Sequence, residues 1–249
     1  MSLQPLHISS LDRLAVETST NFTYIPLSRL RTYKSMGFRR VILPISYYEV
    51  RTNINDAIDF TEAGGPQLSA TLNAGSYNLT QMQTEVKRAM DAVSGTTYTI
   101  TISLTDGRLT ATNTAVSAIV FLWLSGTRTL TNASYMLGFS DGVAPKVDSA
   151  SATTITSTYP VELQPTKNLY LDIGVSSSRA IVNRRTTTTN IIIPVSINGF
   201  FQNLVYQPDN LILLDNEGEV GTLNIRLTYM NGELVNLGGK QMEIDLELY

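Results

Sequence analysis

Residues 97–111 read TYTITISLTDGRLTA. Tyr98, Ile100, Ile102 and Leu104 alternate with Thr97, Thr99, Thr101 and Ser103, the period-two pattern of a half-buried strand. Asp106-Gly107 is a hairpin signal of type I′. A two-residue loop there sets Leu104 opposite Leu109 and Ile102 opposite Ala111. The apolar faces of both arms then coincide, so turn chemistry and hydrophobic pattern agree on one register. This segment points the whole chain towards antiparallel β structure.

Upstream, Leu79, Met82, Val86, Ala89, Met90 and Val93 recur at spacings of three and four, which is one apolar helix face. Asn78 or Thr80 can cap its start, and Gly95 ends it. Downstream, residues 118–124 (AIVFLWL) read as a strand buried on both faces. Further strands are expected near 22–27, 41–50, 54–63, 67–72, 168–175, 191–195, 210–214, 223–229 and 242–248. Pro44 marks an edge or a bulge. Gly64-Gly65-Pro66, residues 215–218 and Asn231-Gly232 read as turns. Residues 144–158 read as a long surface loop with one weak strand, and residues 176–190 as an exposed loop. Many strands and one helix near residues 79–93, without regular βα alternation, predict an all-β fold, an antiparallel single jelly-roll sandwich. Residues 1–21 have no sustained period and read as an extended N-terminal arm. Residues 22–249 read as one jelly-roll domain.

Composition narrows the chemistry. The chain has 249 residues, no cysteine and one histidine, His7. Disulfides, zinc–thiolate sites and thiol nucleophiles are therefore excluded, as is a multi-histidine metal site. A net charge of −3 argues against a dedicated nucleic-acid binder. Charged residues make up 16%, while the chain carries 31 Thr and 22 Ser. A neutral, β-branched, hydroxyl-rich surface suits strands that pack against copies of themselves. No targeting segment is read near the N-terminus, and the longest apolar run is far too short to span a bilayer.

Few residues suggest a reaction. Glu243, Asp245 and Glu247 share one strand face, as glycosidase carboxylates would, but they also suit a solvated or edge-protecting face. Asp209, Asp215 and Glu217 could hold calcium, yet match no EF-hand spacing. Gly238-Gly239-Lys240 lacks the rest of a phosphate loop. The cluster Arg29, Arg31, Lys34, Arg39 and Arg40 is a candidate basic contact segment, with a solvated loop as the alternative. Leu3, Leu6, Ile8, Leu11 and Leu14 are candidate inter-subunit contacts, because a free tail gains little from five large aliphatics. Arg184 and Arg185 are candidates for a second contact surface. Trp123 reads as core. Tyr47, Tyr48, Tyr159 and Tyr206 are the aromatics available to a carbohydrate site.

The run from Gly75, Tyr77 and Leu79 through the helix, the hairpin, the apolar strand and Leu137-Gly138-Phe139 resembles the single jelly-roll penton and minor capsid proteins of polinton-like viruses and virophages. The strand at residues 168–175, the turn at 215–218, the alternating strand at 223–229 and the closing GGKQMEIDLEL resemble the last strands of those proteins. The resemblance spans about residues 40–248. It implies a structural virion protein, not an enzyme: a penton capsomer closing the fivefold vertices of an icosahedral double-stranded DNA virus capsid. It implies a homopentamer, contacts with neighbouring major capsid protein capsomers and other minor capsid proteins, no cofactor and no specific nucleic acid. The sequence shows no long insertion for a second, receptor-binding domain. A β-sandwich carbohydrate-binding or host-attachment module and a trimeric minor capsid protein stand as alternatives.

Overall fold

The computed structural model describes residues 4–13, 16–25, 32–115, 117–178, 184–195 and 202–249. In chain order the first strands are β1 (Gln4–Ser9), β2 (Asn21–Tyr24) and β3 (Thr32–Pro44). Next come β4 (Ala57–Glu62), β5 (Leu68–Thr71), α1 (Leu79–Asp91), β6 (Tyr98–Ile102), β7 (Leu109–Asn113), β8 (Ile119–Phe121) and β9 (Thr154–Thr156). The last are β10 (Asn168–Ser178), β11 (Arg184–Pro194), β12 (Asn203–Tyr206), β13 (Ile212–Thr228) and β14 (Glu243–Leu248). No helix among the described residues is long and apolar enough to cross a membrane.

The chain forms two compact units, one from residues 1–47 and 166–249, the other from residues 48–165. The first is the jelly roll. Its pairings resolve into two four-stranded antiparallel sheets, β1-β14-β3-β12 and β2-β13-β10-β11. The long β13 serves both, because its N-terminal part pairs β3 and its C-terminal part pairs β10. Each strand turns alternate aliphatics inward: Leu169, Leu171, Ile173 and Val175 from β10, Leu223, Ile225 and Leu227 from β13, and Ile244, Leu246 and Leu248 from β14. This is the jelly-roll sandwich expected from the sequence.

Its boundaries differ from the expectation of an arm followed by one domain. Residues 4–9 are not an arm. They pair along their whole length with β14, and Leu6 and Ile8 lie in the unit's own core. Six residues are too short for their alternation to stand out in a sequence. The second unit, residues 48–165, is an insertion between β3 and β10, where the sequence pattern predicts one continuous domain. It has its own apolar core, built on α1 and the sheets β5-β4-β8 and β6-β7-β9.

Two expected irregular segments are strands. Residues 176–190 belong largely to the β10–β11 hairpin, whose register runs from Asn168↔Pro194 to Ser178↔Arg184. Thr-rich segments suit a pleated surface even when they carry no apolar alternation. Residues 215–218, with turn-like composition, lie inside β13, where pairing with β3 overrides local preference.

In the inserted unit the helix stands where its periodicity puts it. Asn78 Oδ1 accepts from the Gln81 N–H at 2.9 Å, and Gln81 Oε1 accepts from the Asn78 N–H at 3.0 Å. That is a capping box. Met82, Val86, Ala89 and Met90 are buried. Met90→Asp is expected to destabilise this unit by several kcal/mol, since it places a carboxylate in an apolar core; chemical denaturation measures it. The hairpin forms with Ile102 opposite Leu109 and Ile100 opposite Ala111, two residues from the expected register. The Ser103 N–H donates to the Arg108 carbonyl, which closes a four-residue loop with Gly107 at φ +71°. A two-residue shift keeps the same faces inward, so the pattern alone does not distinguish the registers. Leu104 is consequently exposed.

Candidate functional site

The chemistry-bearing residues of the jelly roll meet on the outer face of β1, β14 and β3. Along β3 the inward residues are Met36 and Phe38, then Val41 and Leu43. The parity changes because the pairing with β14 steps from Phe38↔Leu246 to Arg40↔Asp245 and leaves Arg39 as the extra residue of a bulge. Two consecutive arginines thereby face outward, towards carboxylates two residues apart on β14. Arg39 bonds Glu247, and Arg40 bonds Asp245. From the other side His7, directly opposite Asp245, places Nδ1 2.7 Å from Asp245 Oδ1. The C-terminal residue closes the row, with Tyr249 Oη donating to Glu247 Oε2 at 2.7 Å. Burial alone would raise the Asp245 carboxyl, but the bonds from His7 and Arg40 outweigh it and hold it below the ordinary range.

This arrangement answers two expectations. Asp245 and Glu247 do not form a free acidic face, because each is engaged by an arginine. Nor do Arg39 and Arg40 offer free cations to phosphate. Half-exposed pairs of this kind contribute at most about 1 kcal/mol each. Lys34 is exposed, while Arg29 and Arg31 lie outside the described residues. Among the described residues no three His, Cys, Asp or Glu side chains gather for a metal ion.

The hydrophobic contact candidates divide. Leu6 and Ile8 are internal, which removes them as contacts with another subunit. Leu11, on the single 3-10 turn of Ser10–Asp12, is exposed. Leu3 and Leu14 lie outside the described residues. Arg184 and Arg185 occupy the start of β11 rather than a loop, paired with Ser178 and Ser177, and their side chains are not among those described. At the opposite edge of the first sheet from β1, sequence reasoning missed three exposed aliphatics: Val205 on β12, Leu211 just before β13 and Leu213 on β13. Leu211 lies over Gly37 so closely that a Cβ there would sit 2.4 Å from its side chain. Ile212 packs against the core, Leu213 is exposed and Leu214 is buried, the ordinary alternation of a strand. The unbroken run Leu211 to Leu214 was the available signal, since a strand cannot turn four successive residues inward.

The inserted unit holds its loops by buried polar bonds. Asp59, 1% exposed, accepts from the Arg128 N–H at 2.8 Å, Arg128 Nε at 3.0 Å and Ser69 Oγ at 2.8 Å. Trp123 is core, stacked on Phe121 with centroids 5.2 Å apart. Of the tyrosines singled out in the sequence, Tyr47 is buried edge-on to Tyr229, and Tyr206 stacks on Phe38. Tyr48 and Tyr159 are exposed, as is Tyr135, which carries no distinguishing signal in the sequence.

No family model matches the sequence, and no curated protein does. Among solved structures, the chain is similar to the crystal structure of the mavirus penton protein, at 10% identity over 99% of this chain and 99% of that one, with a TM-score of 0.52. At that identity the likeness is one of fold.

Proposed function

We propose that this chain is a structural capsid protein, the penton capsomer at the fivefold vertices of an icosahedral double-stranded DNA virus. The observation that carries the reading is the fold over its whole length: a jelly roll interrupted between β3 and β10 by a second unit, similar end to end to the mavirus penton protein. Its mechanism is assembly rather than catalysis. A closed ring needs a heterologous contact, one surface of a subunit against a different surface of the next. The first sheet supplies two unlike edges. The β12 edge carries Val205, Leu211 and Leu213, and the β1 side carries Leu11. The proposed contact sets the first against the second around a homopentamer. Low charge favours it, since fewer ionic groups must lose water when the faces meet. Arg184 and Arg185 at the base of β11 are the proposed contact with surrounding major capsid protein capsomers.

Native mass spectrometry of the purified chain tests this. A pentamer is expected. Val205→Glu with Leu213→Glu should give a folded monomer, because the double variant puts two unpaired charges into the contact without touching the core. A trimer would move the reading to a trimeric minor capsid or attachment protein. A stable monomer of the unaltered chain would overturn it.

A further inference from the structure

Two segments of the inserted unit, residues 122–132 after β8 and residues 146–149, are laced side by side. The Phe121 carbonyl accepts from the Ser149 N–H at 3.0 Å, and Ser149 Oγ accepts from the Phe121 N–H at 2.8 Å. The Asp148 carboxylate accepts from the Leu124 N–H at 2.8 Å, the Ser125 N–H at 3.2 Å and the Ser125 hydroxyl at 2.5 Å. Two residues earlier, Lys146 Nζ donates to the Thr129 carbonyl at 2.7 Å and to Asn132 Oδ1 at 3.0 Å. Val147 therefore stands between two clamps, one reaching Leu124 and the other reaching the residue before Leu130. Leu124, Leu130 and Val147 are 61%, 94% and 63% exposed. The clamps fix the backbone that carries these three aliphatics, and none of them belongs to the unit's core.

The ionic groups of the two segments are Arg128, Lys146 and Asp148. Each is engaged within the unit, Arg128 by Asp59 and the Ala70 carbonyl, Lys146 and Asp148 by the clamps themselves. The partner that fits is accordingly uncharged. Three such side chains can bury roughly 300 Å², well short of the about 800 Å² per partner that a stable protein interface needs. A second copy of the chain would need far more surface than this. A bilayer does not: its surface is fluid and accepts protruding aliphatics without a matching pocket, and binding there scales with the apolar area inserted. Loops whose ionic groups are already engaged enter that boundary at the least desolvation penalty.

We propose that Leu124, Leu130 and Val147 bind the surface of a neutral lipid bilayer by inserting their side chains into the headgroup–acyl boundary. The Asp148 and Lys146 clamps hold the two segments together, so that the three aliphatics enter as one group. The inference goes beyond the capsid role and does not rest on it, because every residue involved lies within the inserted unit.

The test is flotation of the full purified chain with phosphatidylcholine vesicles. Binding is expected, and raising the salt concentration should leave it unchanged, since no ionic contact contributes. Leu124→Ser, Leu130→Ser and Val147→Ser should each lower the vesicle partition coefficient by roughly tenfold, with unchanged thermal unfolding. Leu130→Trp supplies a readout at the site itself. Its emission should be quenched by vesicles with brominated acyl chains, whereas the unaltered chain, whose one tryptophan is the buried Trp123, should not be quenched. The proposal is overturned if the unaltered chain does not float with the vesicles, if salt abolishes the binding, or if the serine variants bind as it does. Oligomers that the serine variants abolish, without vesicle binding, would assign the patch to a second copy and overturn it equally. Pentamer formation without vesicle binding would sink this inference and leave the capsid reading intact.

Discussion

Asp59→Ala is expected to destabilise the inserted unit by about 3–5 kcal/mol, the range for removing one partner of a buried ion pair. The variant leaves the Arg128 guanidinium, whose side chain is 28% exposed, without its carboxylate. It also strands the Arg128 N–H and the Ser69 hydroxyl. Arg128 still donates to the Ala70 carbonyl and to Thr71 Oγ1, so the loop does not simply swing into solvent. Urea denaturation of the purified protein measures the loss. A change under about 1 kcal/mol would mean that water replaces the carboxylate at no great penalty, and that the pair behaves as a solvated one.

The same pair sets an acid limit. Burial raises the Asp59 carboxyl, but the bonds from Arg128 and Ser69 prevail and hold it below the ordinary range. Asp245 is held low in the same direction. A carboxyl that titrates lower in the folded chain than in the unfolded one adds stability that is complete above the unfolded value, about 3.9 for Asp. That stability is lost as pH falls through the folded value. Thermal unfolding midpoints should therefore fall below about pH 4, and Asp59→Ala should flatten the dependence. An unchanged acid slope in the variant would refute the assignment.

Deleting residues 2–9 is expected to unfold the jelly-roll unit. The deletion removes a strand paired from Gln4↔Leu248 to Ser9↔Glu243, and with it Leu6 and Ile8. Truncating one buried aliphatic to alanine costs about 2–5 kcal/mol. Losing two whole side chains and a ladder approaches the entire stability of an ordinary domain, about 5–15 kcal/mol. Ile8→Ala is the graded version, expected within the single-residue range. Circular dichroism and cooperative denaturation report both. A truncated chain that folds with an unchanged midpoint would restore the view of this segment as a detachable arm.

The features legible in the amino-acid sequence are the local ones. The helix follows from Met82, Val86, Ala89 and Met90 at helical spacing behind Asn78 and Gln81, since successive turns of backbone bring those residues to one face. The all-β class follows from alternation in residues 98–102, 168–175, 223–229 and 242–248, because a pleated strand has only two faces. The absence of cysteine and the single histidine exclude thiol and multi-histidine chemistry by composition. What the tertiary structure decided was which strands lie side by side beyond the hairpin that Asp106-Gly107 marks, and the register even there. Leu6 and Ile8 look like arm residues until β14 supplies a partner, and residues 215–218 look like a turn until β3 pairs with them. Arg39 and Arg40 look like a basic patch until a bulge aims both at β14. Leu137-Gly138-Phe139 looks like a surface turn until the Gly138 backbone meets that of Tyr159. In each case the deciding interaction joins residues that no local period relates, and a hydrogen bond or ion pair of that kind leaves no pattern in the sequence that encodes it.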